Sequence, residues 1–110
     1  MASIDESAWE ARARQSLADG GQAFERLLSV AEKKADTGQA GVVVSFIASV
    51  VGLSKFDLYD LRRLDVDSAD DVMACIDTIR WRKAHLADLV PDGRSRARAI
   101  SADWGFAPAA

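Results

Sequence analysis

Side chains that bind soft metal ions through a thiol or an imidazole occur only twice in the sequence, at Cys75 and His85. A zinc site needs three or four ligands of this kind, and these two cannot supply them. We therefore interpret Cys75 as a small buried apolar residue and His85 as a polar residue near a helix end. We expect no bound metal and no cofactor.

Four aspartates, at positions 65, 67, 70 and 71, have the composition of a calcium-binding loop but not its spacing. An EF-hand loop needs glycine at its sixth position and a bidentate glutamate at its last. Counted from Asp65, those positions hold Asp70 and Ile76. The aspartates better suit a helix N-terminus, where negative charge offsets the helix dipole. The sequence also has no Gly-rich phosphate loop and no nucleophile elbow, so we expect a protein that is not an enzyme.

Charge is distributed unevenly along the chain, although the net charge is only −3. Residues 57–77 carry seven aspartates and two arginines, a balance of −5. Residues 78–98 carry five arginines and one lysine against two aspartates, a balance of +4. Such asymmetry can steer a charged partner, or the two stretches can neutralise one another inside the fold.

Two sets of residues are candidate binding sites. We expect the acidic set to bind a macromolecular partner, and it consists of Asp57, Asp60, Asp65, Asp67, Asp70 and Asp71. The alternative is a nucleic-acid-binding face on which an indole could stack on a base, although the pI near 5.0 is below that of a typical basic footprint. This basic set consists of Arg80, Trp81, Arg82, Lys83, Arg94 and Arg98.

The elements that would position these residues are predicted to be helical. The most apolar run, 41–53, contains many β-branched residues, which would suit a strand. Its large side chains recur at the spacing of one helical face, however, and the run is longer than a usual strand. We therefore predict a central buried helix with Val43, Phe46, Ile47 and Val50 on one face. Small residues on the opposite face would let another backbone approach closely: Gly41, Ser45, Ala48 and Gly52.

Capping and turn residues predict two helices before the central one. The first covers residues 4–18, with a capping box at Ser3-Ile-Asp-Glu6 and Trp9 as the anchor of a thin apolar face. Asp19-Gly20-Gly21 is predicted to break it, which makes residues 1–20 a peripheral element. The second helix covers residues 22–35 and has a regular apolar stripe of Phe24, Leu27, Leu28, Ala31 and Ala35.

Three helices are predicted after the central one. A short helix capped by Ser54 comes first, and a long helix then opens at Ser68-Ala-Asp-Asp71 and continues to Leu89. The inner line of the long helix is predicted to be Val72, Cys75, Ile76, Ile79, Lys83 and Leu86. After a turn at Pro91-Asp92-Gly93, a last helix runs from Arg94 to Trp104 with Ala97, Ile100 and Trp104 facing inward. Residues 105–110 are expected to be a frayed tail.

Length and composition predict one all-α domain over residues 1–110, a compact bundle of about five helices around the Val-rich run. Asp36 and Lys55 leave that run too short to span a membrane. Asp5 and Glu6 stand where a signal peptide would be basic and then apolar. A single cysteine suits a reducing compartment, so we expect a cytoplasmic protein.

Two short motifs resemble a known family. Asp36-Thr-Gly-Gln39 and Phe56-Asp-Leu-Tyr-Asp-Leu61, separated by one apolar helix and followed by an acidic helix start, resemble short bacterial proteins of unknown function. These proteins are carried on plasmids, integrative elements and prophages. The resemblance covers roughly Phe24 to Leu86 and brings no catalytic residue with it. It implies a context in which small proteins inhibit host defence complexes or adjust regulation.

These observations together predict a non-enzymatic protein that binds a protein or nucleoprotein complex of the host through the acidic set. Its most specific form is an inhibitor of a host defence nucleoprotein, such as an anti-CRISPR protein, that occupies a basic site. The alternative is a nucleic-acid-binding accessory or regulatory protein that uses the basic set. Homodimerisation through the small-residue face or the tryptophans is compatible with both.

Overall fold

The computed structural model describes residues 2–33 and 38–106, and side chains from residue 7 onward. The described residues contain no strand, and the predicted all-α fold is confirmed. Within the described ranges, four α-helices and two short 3-10 helices follow one another: α1 (Ala2–Glu32), α2 (Gly38–Val50), η1 (Leu58–Arg63), α3 (Val66–Arg80), η2 (Leu86–Leu89) and α4 (Gly93–Asp103). No helix in this part of the chain is long and apolar enough to cross a membrane.

Helix α1 is the element against which the other α-helices pack. Its 31 residues correspond to about 46 Å at the α-helical rise, close to the longest extent of the molecule, 51 Å. It contacts α2, α3, α4 and η2. The apolar stripe predicted within residues 22–35 is confirmed where it is described, since the following side chains are buried: Phe24, Leu27, Leu28 and Ala31.

The predicted break at Asp19-Gly20-Gly21 is wrong, because α1 continues through it. Gly20 is buried against α3, where a Cβ atom would overlap the Thr78 hydroxyl and lie 2.6 Å from Thr78 Cβ. The missing side chain therefore lets two helices approach closely and does not end a helix. The capping box predicted at residues 3–6 lies outside the described side chains, as does Ala35.

A polar network lies at this close contact between α1 and α3, with Ser16 and Thr78 buried and Asp77 partly exposed. Thr78 is fully buried, and its hydroxyl donates to the Ser16 carbonyl oxygen at 2.6 Å. The Ser16 hydroxyl donates to Asp77 Oδ2 at 2.6 Å, and this hydrogen bond lowers the pKa of the Asp77 carboxyl. Because buried polar groups are costly when unpaired, these bonds favour one register of α3 on α1.

The apolar run after residue 40 is a helix, as predicted, although it begins and ends three residues earlier than expected. The side chains of Val43, Phe46 and Ile47 are buried in the core. Gly52 lies beyond α2 with φ of 78°, and the Leu53 N–H donates to the Ala48 carbonyl at 2.8 Å. The inclusion of Gly52 in the small-residue face is therefore wrong, since this glycine ends the helix in the left-handed conformation.

The caps of η1 and α3 are aspartates, not the predicted serines. Asp57 Oδ1 accepts from the Tyr59 N–H at 2.9 Å and begins η1, whereas Ser54 donates to the Lys55 carbonyl. Asp65 Oδ1 accepts from the Ser68 N–H at 2.8 Å, so α3 begins before the predicted capping box. Asp is as good an N-cap as Ser, so residue type alone does not decide which of two neighbouring candidates caps the helix.

Helix α3 ends at Arg80, so the predicted continuous helix to Leu89 is wrong. The chain turns at Arg82, which has φ of 59°, and resumes as η2 with His85 as its cap. The predicted inner line fails in this region, because Ile79 is 48% exposed and Lys83 is exposed. Leu86 is nevertheless buried, since η2 brings it back to the core.

Helix α4 buries Ala97 and Ile100, as predicted. Trp104 does not face inward, since 43% of it is exposed. Trp104 forms the C-cap of α4, and the edge of its ring packs next to Gly41 of α2, on the side where another residue would carry its Cβ atom. The predicted frayed tail falls mostly on residues 107–110, which lie outside the described residues.

Arg96 joins α4 to α1 through two carboxylates. Its Nε and Nη2 donate to the two Glu32 oxygens at 2.9 and 2.7 Å, and Nη2 also lies 2.7 Å from Glu25 Oε2. Hydrogen bonds from Arg96 lower the pKa of the Glu25 and Glu32 carboxyls. Groups with a depressed folded-state pKa stabilise the fold above their unfolded pKa, and this stabilisation is lost as the pH falls through the folded value.

Arg96→Gln is therefore expected to reduce the acid sensitivity of the fold. The wild type should lose free energy of unfolding as the pH falls below about 5, and the variant should lose less. At neutral pH the variant should be less stable by about 1 kcal/mol, a value reduced for the solvent exposure of both glutamates. Urea unfolding at neutral and acidic pH measures this, with Arg98→Gln on the same helix as the charge-matched control. Equal acid sensitivity in the two variants would contradict the expectation.

Candidate interaction surfaces

Four aspartates of the acidic set have partners within the fold. Asp57 and Asp65 are helix caps. Asp71 accepts from Arg26 Nη2 at 2.8 Å and from Arg26 Nε at 3.1 Å. Asp60 forms only a long ion pair, at 3.6 Å, with an arginine one turn later in η1. Asp57 and Asp65 therefore support the starts of η1 and α3, and Asp71 joins α3 to α1, so half of the predicted acidic set has a structural role.

Asp67 and Asp70 are exposed and have no hydrogen bond or ion pair with the described residues. Val66, Asp70 and Met73 recur at i, i+4 and i+7 and lie along one outward face of α3. Four large apolar side chains are exposed in this part of the chain: Leu58 (65%), Tyr59 (75%), Val66 (75%) and Met73 (52%). We call these six residues the acidic–apolar surface: Leu58, Tyr59, Val66, Asp67, Asp70 and Met73.

The apolar members of this surface were not predicted as site residues. The exposure of Met73 could have been found, because a helix with Val72 and Cys75 inward places Met73 nearly opposite them. The exposure of Leu58 and Tyr59 could not be predicted from α-helical spacing, since both lie in a 3-10 helix, whose side chains follow a different spacing.

The structure divides the basic set between two places. Arg80, Trp81, Arg82 and Lys83 lie at and just after the C-terminal end of α3. Arg94 and Arg98 lie on α4, where Arg94 Nε donates to Asp88 Oδ1 at 2.7 Å. Among the described side chains, no hydrogen bond or ion pair joins the two groups, which lie on different elements.

Trp9 and Arg12 of α1 join the first of these groups. The ring centroids of Trp9 and Trp81 are 5.6 Å apart, with planes tilted by 56°. The Arg12 guanidinium carbon lies 5.5 Å from the Trp9 centroid and 5.8 Å from the Trp81 centroid. That of Arg80 lies 4.6 Å from the Trp81 centroid. Arg82 follows Trp81 directly in the chain, and Lys83 pairs with Glu10, the neighbour of Trp9 on α1. We call these residues the Trp–Arg cluster: Trp9, Arg12, Arg80, Trp81, Arg82 and Lys83.

With both surfaces located, comparison with known proteins gives one match. Residues 21–105 match the model of a family of unknown function, DUF7673. The chain belongs to the DUF7673 family. No curated protein and no solved structure gives a significant match. The predicted resemblance is thereby confirmed as membership of a family of unknown function, and its span lies within the DUF7673 region. That region holds the whole acidic–apolar surface but excludes Trp9 and Arg12.

The acidic and basic stretches of the DUF7673 region do not mainly neutralise each other. Among the described ion pairs, only Arg80–Asp77 joins residues 57–77 to residues 78–98. Helix α1 supplies carboxylates to the basic stretch and a guanidinium to the acidic one, so it neutralises part of each. These pairs are Arg26–Asp71, Glu10–Lys83, Glu25–Arg96 and Glu32–Arg96.

Cys75 and His85 both have structural roles in the DUF7673 fold. Cys75 is fully buried, and burial raises the pKa of its thiol to about 12. A thiol of this kind is inert at neutral pH, because the thiolate is the reactive form. His85 Nδ1 accepts from the Ala87 N–H at 3.1 Å and caps η2. Within the described ranges, no three His, Cys, Asp or Glu residues are arranged to hold a metal ion.

Proposed function

We propose that this DUF7673 protein is a non-enzymatic interaction protein that binds another macromolecule through the acidic–apolar surface. The observation that carries the proposal is the exposure of four large apolar side chains within residues 58–73, a segment that also contains two exposed carboxylates that pair with no described residue. Burial of apolar surface is favourable by about 25 cal/mol of free energy per Å² removed from water, so these side chains supply a driving force for association. Exposed apolar residues grouped with polar neighbours are typical of interaction sites.

The chemistry of the surface indicates the chemistry of its partner. Tyr59 is 75% exposed and Arg62 lies over its ring at 5.9 Å, and tyrosine is among the residues that contribute most to interfaces. Asp67 and Asp70 would attract lysine and arginine and would exclude acidic surfaces. The partner is therefore a protein surface with apolar side chains flanked by basic ones.

The most specific form of the proposal is an inhibitor of a host defence nucleoprotein of the CRISPR–Cas type, encoded on a mobile element. This form is supported by the resemblance to short plasmid and prophage proteins. An acidic surface suits the role, because a groove that binds nucleic acid is lined with lysine and arginine. The protein would then act by occupying that groove.

The proposal predicts that Asp67→Lys combined with Asp70→Lys will weaken partner binding by about ten-fold, because rim charges set recognition and on-rate. Asp19→Lys with Asp103→Lys is the matched control, since it changes the net charge equally at exposed positions elsewhere. The tagged proteins are incubated with host lysate, with and without nuclease, and the recovered partner is then titrated against each purified variant.

A second variant tests the apolar part of the surface. Tyr59→Ser with Met73→Ser removes two exposed side chains, and we expect loss of binding without loss of helical content by circular dichroism. Equal binding by the wild type and both double variants would overturn the proposal. Recovery of a partner that disappears with nuclease would assign binding to nucleic acid and not to this surface.

A further inference from the structure

We propose that the Trp–Arg cluster is a binding site for single-stranded nucleic acid. This cluster lies at the C-terminal end of α3, whereas the acidic–apolar surface includes residues at the N-terminal end of that helix. The inference does not depend on the function proposed for the acidic–apolar surface. The inference depends on a pair of packed indoles, of which Trp9 is exposed and Trp81 half-buried, on the cations around them and on the contacts that hold both in place.

The two indoles offer a stacking platform. Trp9 is 51% exposed although its ring lies 5.6 Å from that of Trp81. The contacts with Trp81 and with the Arg12 guanidinium, 5.5 Å from the Trp9 centroid, therefore cover only part of this indole and leave the rest accessible to solvent. Bases stack on exposed aromatic rings without sequence preference, because every base has a π-face.

The cations of the cluster are only partly neutralised. Arg12 and Arg82 form no ion pair with any described carboxylate, and both are exposed. Arg80 and Lys83 are paired with Asp77 and Glu10, but their side chains remain 48% and 45% exposed. Four cations against two carboxylates leave a local charge of +2 in a chain whose net charge is −3. This sign is complementary to a phosphate backbone.

The cluster is held in place before any ligand binds. Asp77 Oδ1 accepts from Arg80 Nε at 2.7 Å, while its Oδ2 accepts from Ser16 at 2.6 Å and from Trp81 Nε1 at 3.4 Å. One carboxylate thus orients an arginine and an indole against α1. The packing of Trp9 on Trp81 also attaches α1 to α3, and Arg12 contributes to it because its guanidinium lies over both rings. Arg82 makes no ion pair or cation–π contact with the described side chains.

Single strands fit this arrangement better than duplexes. Stacking on Trp9 needs an unpaired base, whereas a duplex presents only its phosphates to such a surface. Phosphate attraction alone is weak for a protein with a net charge of −3. The platform and the cations must therefore act together.

Fluorescence anisotropy of labelled oligo-dT and oligo-rU, about 12 nucleotides long, tests the site at about 50 mM salt. Arg12→Gln with Arg82→Gln should weaken binding about ten-fold and reduce the salt slope by about 1.4, the contribution of two phosphate contacts. Arg14→Gln with Arg98→Gln is the matched control, since both arginines are exposed and lie outside the cluster. This control should lower affinity by less than about two-fold.

A third variant separates stacking from charge. Trp9→Leu keeps an apolar side chain on α1, and we expect about five-fold weaker binding with an unchanged salt slope. Duplex DNA of the same length should bind more weakly than the single strand. The proposal is overturned by absence of single-strand binding at low salt, by equal losses in the two double-arginine variants, or by preference for the duplex. Asp67→Lys with Asp70→Lys should not weaken this binding, so its outcome is distinct from that of the acidic–apolar surface.

Discussion

Gly20→Ala is expected to lower the free energy of unfolding by about 2–3 kcal/mol, because the added methyl group has no room between α1 and α3. Its Cβ would lie 2.6 Å from Thr78 Cβ and 3.1 Å from Thr78 Cγ2 and would overlap the hydroxyl. Thr78 cannot turn away, since it is fully buried and its hydroxyl is within hydrogen-bond distance of the Ser16 and Ala74 carbonyls at 2.6 and 3.1 Å. The helices would have to separate and weaken these bonds. Alanine has a higher helix propensity, by about 1 kcal/mol, which offsets part of the cost.

The neighbouring glycine supplies the control for this prediction. A Cβ at Gly21 would lie 3.3 Å from Leu89 Cβ, a contact that a small adjustment can relieve. Gly21→Ala should therefore leave stability unchanged or raise it by up to about 1 kcal/mol through helix propensity. Urea unfolding followed by circular dichroism measures both variants. Equal stability of the two would show that close packing at Gly20 does not limit the contact between α1 and α3.

The same glycines show where prediction from the sequence fails. Asp-Gly-Gly is a turn signal in a sequence, because glycine lacks helix propensity and aspartate favours turns. Its effect here is decided by Thr78, a residue distant in the chain, and by the apolar stripe on both sides of the pair. Local patterns cannot distinguish a glycine that ends a helix from one that lets two helices approach.

Elements with a strong local signal were predicted correctly. The helix around Val43 and Ile47 and the stripe around Phe24 and Leu28 depend on apolar periodicity, which is a property of the segment itself. Apolar periodicity also explains why the end of α3 was predicted wrongly, because periodicity does not report a turn of the chain. The helical spacing continues past Arg80 to Leu86, whereas the chain turns at Arg82 and reaches the core from a new direction.

The candidate sites depend on tertiary contacts to a greater degree. The composition identified the aspartates of residues 57–71 as a candidate site. Asp71, however, forms an ion pair with Arg26, and no pattern in the sequence predicts that pair. The packing of Trp9 on Trp81 depends on α1 being continuous, so the predicted break at Gly20 also concealed it.

Gly93→Ala is expected to lower the free energy of unfolding by about 3 kcal/mol, an effect as large as that of Gly20→Ala. Gly93 is buried at the start of α4, where a Cβ would overlap the Ala87 carbonyl oxygen and lie 3.0 Å from the carbonyl carbon. A side chain can rotate away from such a clash, but these are backbone atoms of η2. Relief would require η2 to move from α4, and η2 also carries the buried residues Leu86 and Ala87.

Two control variants separate this explanation from the flexibility of the turn. Asp92, and not Gly93, has the left-handed conformation, with φ of 55°. Asp92→Gly should therefore leave stability unchanged or raise it, because glycine adopts this conformation without strain. Gly38→Ala lies at the start of α2 with nothing within 4 Å of the new methyl group, and should be tolerated. If thermal unfolding shows the same loss of stability for Gly38→Ala as for Gly93→Ala, the destabilisation arises from placing alanine at the start of any helix. A loss confined to Gly93→Ala assigns this glycine to the contact between η2 and α4.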